Sequence, residues 1–207
     1  NADKLAVNNA TYGHVDYDCS TGQMTAVPNY GYHFVQWNDG NTNNPRTIVV
    51  TNDNVYTAIF DKNNYNIALS VDTNIHGHMT GMGDYEYLDN ITISAIANHG
   101  YHFTHWNDGD TNNPRVITLT QDTAFTAYFA KNIYATIVES SDTVRGSAMG
   151  NATTEYLDTV VISATANYGY HFSRWNDGNT NNPRTIVVTD NNVYTAIFDK
   201  NNYNIAL

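Results

Sequence analysis

The stretch from Gly31 to Val50, GYHFVQWNDGNTNNPRTIVV, returns almost unchanged from Gly100 to Leu119 and again from Gly169 to Val188. Trp37, Trp106 and Trp175 fall 69 residues apart, and so do Pro45, Pro114 and Pro183. A fixed period constrains a fold more tightly than length does. Units of this size are long for a solenoid repeat. They are long enough to be small domains, each burying only a modest core. The expectation is a set of beads in an elongated array rather than one large core.

The period assigns residues 1–64, 65–133 and 134–202 to three modules, with 203–207 as the first strand of a further repeat. The first unit aligns only with an offset of 64 in its opening part. Leu5, Val7, Gly13 and His14 then fall on Leu69, Val71, Gly77 and His78, with a five-residue deletion in the Tyr17–Gly22 region. Tyr203–Leu207 restates Tyr65–Leu69, and residues 169–207 match 31–69 at 35 of 39 positions. The chain reads as an excerpt of a longer array, or as a piece whose last strand finds a home elsewhere, and neither end looks capped.

Each unit is patterned for strands. Tyr and Thr favour the pleated sheet, while Asn, Asp and Gly favour turns. In the second unit, Tyr65–Val71, His76–Met82, Ile91–Ala97, Tyr101–Trp106, Val116–Thr120 and Phe125–Phe129 read as strands, the last two as a hairpin-like pair. The His76–Met82 run is loosened by glycine and reads as an edge. Comparing copies sorts the faces. Tyr56, Ala58 and Phe60 keep their size pattern as Phe125, Ala127, Phe129 and as Tyr194, Ala196, Phe198, so this set faces the core. Ile48 and Val50, with their counterparts, point inward by the same logic. Phe103 and Trp106 stand three apart and break alternation. Either the strand bulges before Trp106 or the indole covers the other side of the sheet; a bulge with a buried indole is preferred. The core signature is therefore Phe34, Trp37, Phe60, Phe103, Trp106, Phe129, Phe172, Trp175 and Phe198.

The net charge of −11 and the nine scattered basic residues leave no stripe for a phosphate backbone, so nucleic acid is not expected as a partner. No apolar run has the length of a membrane span, and no leader pattern is read. Cys19 is the single cysteine and allows no intrachain disulfide. No hydrolase, zincin, P-loop or dinucleotide fingerprint is present, and the three glutamates offer no acid–base pair. No enzyme activity and no cofactor are expected.

At the running pattern GYHFxxWNDGxTNNPRxI, followed by a closing Thr-Ala-x-Phe, the chain resembles the divergent internalin-type B-repeat, close to the Listeria–Bacteroides repeat. Gly77-His-Met-Thr-Gly81 and Ala26-Val-Pro28 match further elements of that pattern. The resemblance runs through all three units. It implies a small all-β module of about six short strands, sandwich- or grasp-like. It also implies tandem use in secreted or surface-anchored bacterial proteins, without catalytic residues or a cofactor. Where proline is common in the family, the second and third units carry Ala97-Asn98 and Ala166-Asn167, a softer turn.

The WNDGxTNNPR loop invites a calcium reading through Asp108 and Asp110. The other copies have Asn41 and Asn179 at the second position and lack the EF-hand pattern, so a turn is preferred. His76, His78, His99, His102 and His105 are concentrated in one unit, which argues against a repeated metal site. The sequons at Asn9, Asn90 and Asn151 are expected by chance in a chain this rich in Asn and Thr. Exposed Tyr12, Tyr85 and Tyr87 are the candidate ligand contacts. Tyr203, Ile205 and Leu207 are candidates for inter-module strand pairing.

The expected function is structural: an extracellular or cell-surface stalk, spacer or fibre subunit whose partners are neighbouring repeats or other copies of itself. The alternative is an adhesin module binding a glycan or host protein through repeated Tyr and Asn/Asp loops.

Overall fold

A computed structural model of the chain describes residues 4–49 and 53–203. The described elements are all strands. The first repeat supplies β1 (Lys4–Val7), β2 (Gly13–Asp18), β3 (Gln23–Pro28), β4 (Tyr32–Trp37), β5 (Arg46–Thr47) and β6 (Val55–Lys62). These form two sheets, ordered β1-β6-β4 and β2-β3-β5. The second repeat supplies β7 (Asn64–Val71), β8 (Gly77–Thr80), β9 (Gly83–Glu86), β10 (Asn90–Ala97), β11 (Tyr101–Trp106), β12 (Arg115–Thr118) and β13 (Thr123–Lys131). Its sheets run β11-β13-β7-β9 and β12-β10-β8. The third repeats this plan with β14 (Ile133–Ser140), β15 (Gly146–Met149), β16 (Ala152–Glu155), β17 (Thr159–Ala166), β18 (Tyr170–Trp175), β19 (Arg184–Val187) and β20 (Asn192–Lys200). Its sheets run β16-β14-β20-β18 and β15-β17-β19.

In each repeat the first strand lies parallel to the last. Lys4–Val7 pairs with Val55–Ala58, Ile67–Val71 with Thr123–Ala127, and Thr136–Ser140 with Asn192–Ala196. Parallel partners need a long crossover, and here the rest of the module is that crossover. This corrects the hairpin expected for Val116–Thr120 with Phe125–Phe129. Strand β12 pairs with β10, while β13 belongs to the other sheet. Alternation had shown which face of each strand is buried but not which strand is its neighbour.

The second and third repeats have seven strands because the chain changes sheets after β8 and β15. Gly81 makes that switch at φ +101°, where a Cβ would meet the Thr92 carbonyl and the Ile93 backbone. The first repeat has no such switch. There β2 runs straight into β3 as a hairpin, paired from Gly13↔Pro28 to Asp18↔Gln23. Its turn is held by the Asp18 carboxylate, which accepts from the Ser20 N–H at 2.9 Å and the Thr21 hydroxyl at 2.9 Å. The five-residue deletion thus removes one whole strand.

In the first and third repeats the two sheets share one core. In the third it joins Val138, Val160, Ile162, Trp175, Ile186, Val188, Ala196 and Phe198; in the first it joins Met24, Ala26, Trp37, Ile48, Ala58 and Phe60. All three tryptophans are fully buried. A register shift falls between Phe34 and Gln36, and another between Phe172 and Arg174. These bulges turn the indole to the core face. Phe60, Phe129 and Phe198 are buried, while Phe34, Phe103 and Phe172 are half-buried. Val50 lies outside the described residues.

By compactness the chain divides within the second repeat. One unit takes Asn1–Val71, Met79–Ala95 and His105–Ala127; the other takes Asp72–His78, Ile96–Thr104 and Tyr128–Leu207. No helix among the described residues is long and apolar enough to cross a membrane.

Trp175→Ala is expected to cost about 3–5 kcal/mol, the range for emptying a buried aromatic site. Urea unfolding followed by circular dichroism would measure the loss.

Candidate functional site

The repeated loop after each tryptophan is built from internal bonds. The Trp37 Nε1–H donates to the Asn43 carbonyl at 2.9 Å, as do Trp106 to Asn112 and Trp175 to Asn181. The Asn44 side chain accepts the Ala26 N–H and donates to the Ala26 carbonyl, both at 2.8 Å, and so extends the β5 side of the central strand β3 beyond its pairs with Thr47 and Arg46. Asn113 does the same for Ala95, and Asn182 for Ala164. The three Asn–Pro bonds that follow are cis. Arg46 grips both oxygens of Asp39, at 2.8 and 2.7 Å, and its guanidinium lies 5.1 Å from the Tyr56 ring centroid. Arg115 repeats this with Asp108 and Phe125. The bonds from Arg46 and Arg115 hold the Asp39 and Asp108 carboxyls below the ordinary carboxylate range. The loop's carboxylates are therefore committed to its own arginines. Among the described residues no group of three or more His, Cys, Asp or Glu side chains is placed to hold a metal ion.

The tyrosines assemble a second, unforeseen constellation. Strand β6 ends at Lys62 and β7 begins at Asn64, so one residue, Asn63, links them. Its N–H donates to the Gly31 carbonyl at 2.9 Å, its carbonyl accepts the Tyr87 N–H at 2.9 Å, and its Oδ1 lies 3.0 Å from His33 Nδ1. The Tyr87 ring covers Gly31. It stands edge-on to Tyr30, Tyr32 and Tyr65, with centroids 5.7, 5.4 and 6.2 Å away. Tyr12 stacks on the far side of Tyr32 at 4.2 Å. Lys62 Nζ sits 3.4 Å from both Glu86 and Asp89, which flank the inserted tyrosine.

The same joint occurs around Asn132. Its N–H donates to the Gly100 carbonyl at 2.8 Å, and its carbonyl accepts the Tyr156 N–H at 2.9 Å. Tyr156 covers Gly100 and stands edge-on to His99, Tyr101 and Tyr134, at 5.5, 5.6 and 6.3 Å. His76 takes the place of Tyr12 against Tyr101, at 4.5 Å. Lys131 reaches Asp158 at 3.6 Å. In both joints the inserted ring precedes a leucine in left-handed conformation, Leu88 at φ 66° and Leu157 at φ 68°. A non-glycine residue adopts that region at a cost, so its neighbours must hold it there. The Leu88 N–H donates to the Leu119 carbonyl at 2.7 Å, and the Leu119 N–H donates to the Asp89 carbonyl at 2.9 Å.

These placements correct the expectation of exposed Tyr12, Tyr85 and Tyr87. All three are half-buried. Tyr12 and Tyr87 belong to the first joint, and the Tyr85 hydroxyl points at the Gly81 and Met82 carbonyls, 3.4 Å from each. Tyr203 is exposed, and Ile205 and Leu207 lie outside the described residues. The joint escaped sequence reasoning because its ring and its glycine sit in different repeats. The recurring Glu-Tyr-Leu-Asp of the second and third units, missing from the first, was the available signal.

A family model described as the divergent InlB B-repeat domain matches residues 4–64, 67–133 and 136–202. The chain belongs to the divergent InlB B-repeat family. A search of curated proteins found no match. B-repeats are associated with bacterial surface proteins, and this chain is three of them in tandem. The loop and the joint are thus features of a B-repeat and of the contact between successive B-repeats.

Two outcomes are expected. Gly31, Gly100 and Gly169 share φ values of +86°, +84° and +87°, so alanine strains the backbone equally at each. At Gly31 and Gly100 the new methyl also runs into a tyrosine ring, while Gly169 has nothing near its Cβ position among the described residues. Gly31→Ala and Gly100→Ala should each cost about 1–3 kcal/mol more than Gly169→Ala, read from urea midpoints. Separately, the depressed Asp39 and Asp108 carboxyls contribute stability above the unfolded value of about 4, and that stability is lost as pH falls through the folded values. The wild-type midpoint should drop in acid below about pH 4. The double variant Asp39→Asn, Asp108→Asn should start lower at neutral pH and drop less.

Proposed function

We propose that this chain is a spacer segment of a bacterial surface protein, in which B-repeats hold one another at set positions rather than act on a ligand. The supporting observation is where its conspicuous side chains are used. The loop Asp–Arg pairs close on themselves, the tryptophans fill the cores, and Tyr87 and Tyr156 are spent on contacts between repeats. One linking asparagine, bonded at its N–H and its carbonyl, leaves each joint little freedom. A spacer has to transmit position, and joints of this kind do so without a large interface.

The adhesin alternative assigned binding to Tyr12, Tyr85 and Tyr87 and to the Asn/Asp loops, and these make contacts within the protein. A glycan array and a host-cell binding assay with the full chain immobilised on beads test the proposal. Retention at background level is expected on every surface. Saturable retention, competed by free chain and retained in a folded Tyr30→Ala, Tyr168→Ala variant or lost from it, would overturn the spacer reading in favour of adhesion.

A further inference from the structure

Three equivalent glycine positions recur in this chain; rings cover Gly31 and Gly100, and among the described residues nothing lies over Gly169. The first socket is walled by Tyr30, Tyr32 and Tyr65 and holds Tyr87; the second is walled by His99, Tyr101 and Tyr134 and holds Tyr156. The residues equivalent by the 69-residue period to these walls are Tyr168, Tyr170 and Tyr203. The Asn201 N–H donates to the Gly169 carbonyl at 2.9 Å, and its Oδ1 lies 2.9 Å from His171 Nδ1. Its Nδ2 reaches the Tyr203 hydroxyl at 3.4 Å, the distance from Asn132 to the Tyr134 hydroxyl. Arg145 lies over Tyr170 at 5.7 Å, where Tyr12 and His76 back the other two walls. Gly31 and Gly100 are buried under their rings, whereas Gly169 is not, and Tyr168 is 98 % exposed against 67 % for Tyr30.

We infer that the Gly169 socket is the docking site for a further B-repeat of the seven-strand type, which inserts the tyrosine of a Glu-Tyr-Leu-Asp turn over Gly169. The Asn201 carbonyl would accept the N–H of that tyrosine, as Asn63 and Asn132 do. Lys200 occupies the position of Lys62 and Lys131 and would meet the acidic residues of the turn. The occupant is not another copy of this chain through its first repeat. That repeat carries the Asp18–Thr21 turn in place of the sheet-switching strand, has no Glu-Tyr-Leu-Asp turn, and holds its nearby ring, Tyr17, within β2 opposite Met24. Tyr87 and Tyr156 are already seated. The joint is therefore directional, and six-strand repeats cannot be received by it. This deepens the spacer reading and rests on it for the claim that repeats partner repeats.

A ring over a glycine shifts that glycine's Hα resonances upfield, which gives a readout independent of stability. In the 207-residue chain, Gly31 and Gly100 should be shifted and Gly169 should not. A chain extended by joining residues 65–133 after Asn202 should bring Gly169 to the same upfield position. The same extension with its inserted tyrosine replaced by alanine (the change Tyr87→Ala in the copied segment) should not. A fourth repeat that folds, shown by its own indole N–H signal, yet leaves Gly169 unshifted would overturn the inference. So would a fourth repeat that fails to fold, because the socket is held to be sufficient to receive it. A Gly169 shift that grows with concentration in the unextended chain would also overturn it and make a second copy the occupant. These results are separable from the binding assays above, since they read a contact and not a role.

Discussion

A single asparagine joins one B-repeat to the next, and its polar groups are bonded on both sides of the link. Asn63 gives its N–H to the repeat before it and its carbonyl to the tyrosine of the repeat after it. Buried or half-buried backbone groups are costly to leave unpaired. The chain therefore has little choice about how it crosses from one module to the next. That crossing places the first strand of the new repeat, and the parallel pairing of first strand with last then fixes the rest of the module. The aromatic cage adds area and shape to a geometry that the hydrogen bonds already determine.

The parallel closure also explains how modules this small hold together. Each tryptophan is fully buried, and its indole N–H reaches a loop carbonyl, so the largest side chain carries no unpaired polar group. The loop is drawn over the core by that bond and pinned to the central strand of a sheet by the following asparagine. Its Asn- and Asp-rich composition, which resembles a ligand site on paper, is what a tight, internally bonded loop requires.

Much of this was legible in the residues. Three copies showed which positions keep their size, and that sorted the faces of β6, β13 and β20 correctly. The three-residue spacing of Phe103 and Trp106 conflicted with alternation, and the bulges at the equivalent places after Phe34 and Phe172 are of the kind that resolves it. Partnership between strands was not legible, because alternation says nothing about a strand's neighbour. Strand β9 was missed because Gly81-Met82-Gly83 interrupts the pattern where the chain changes sheets. Tyr87 was misread as exposed because its burial depends on a glycine in another repeat, and local pattern carries no trace of that.

The near-identity of the joints has a consequence for how such chains change length. Every seven-strand repeat carries a ring on one side and a socket on the other, so duplicating or deleting one whole repeat restores an intact joint at the seam. Length can then vary in unit steps with no compensating substitutions. The six-strand repeat is the exception. Copied into the interior of a run, it would leave the socket before it unfilled.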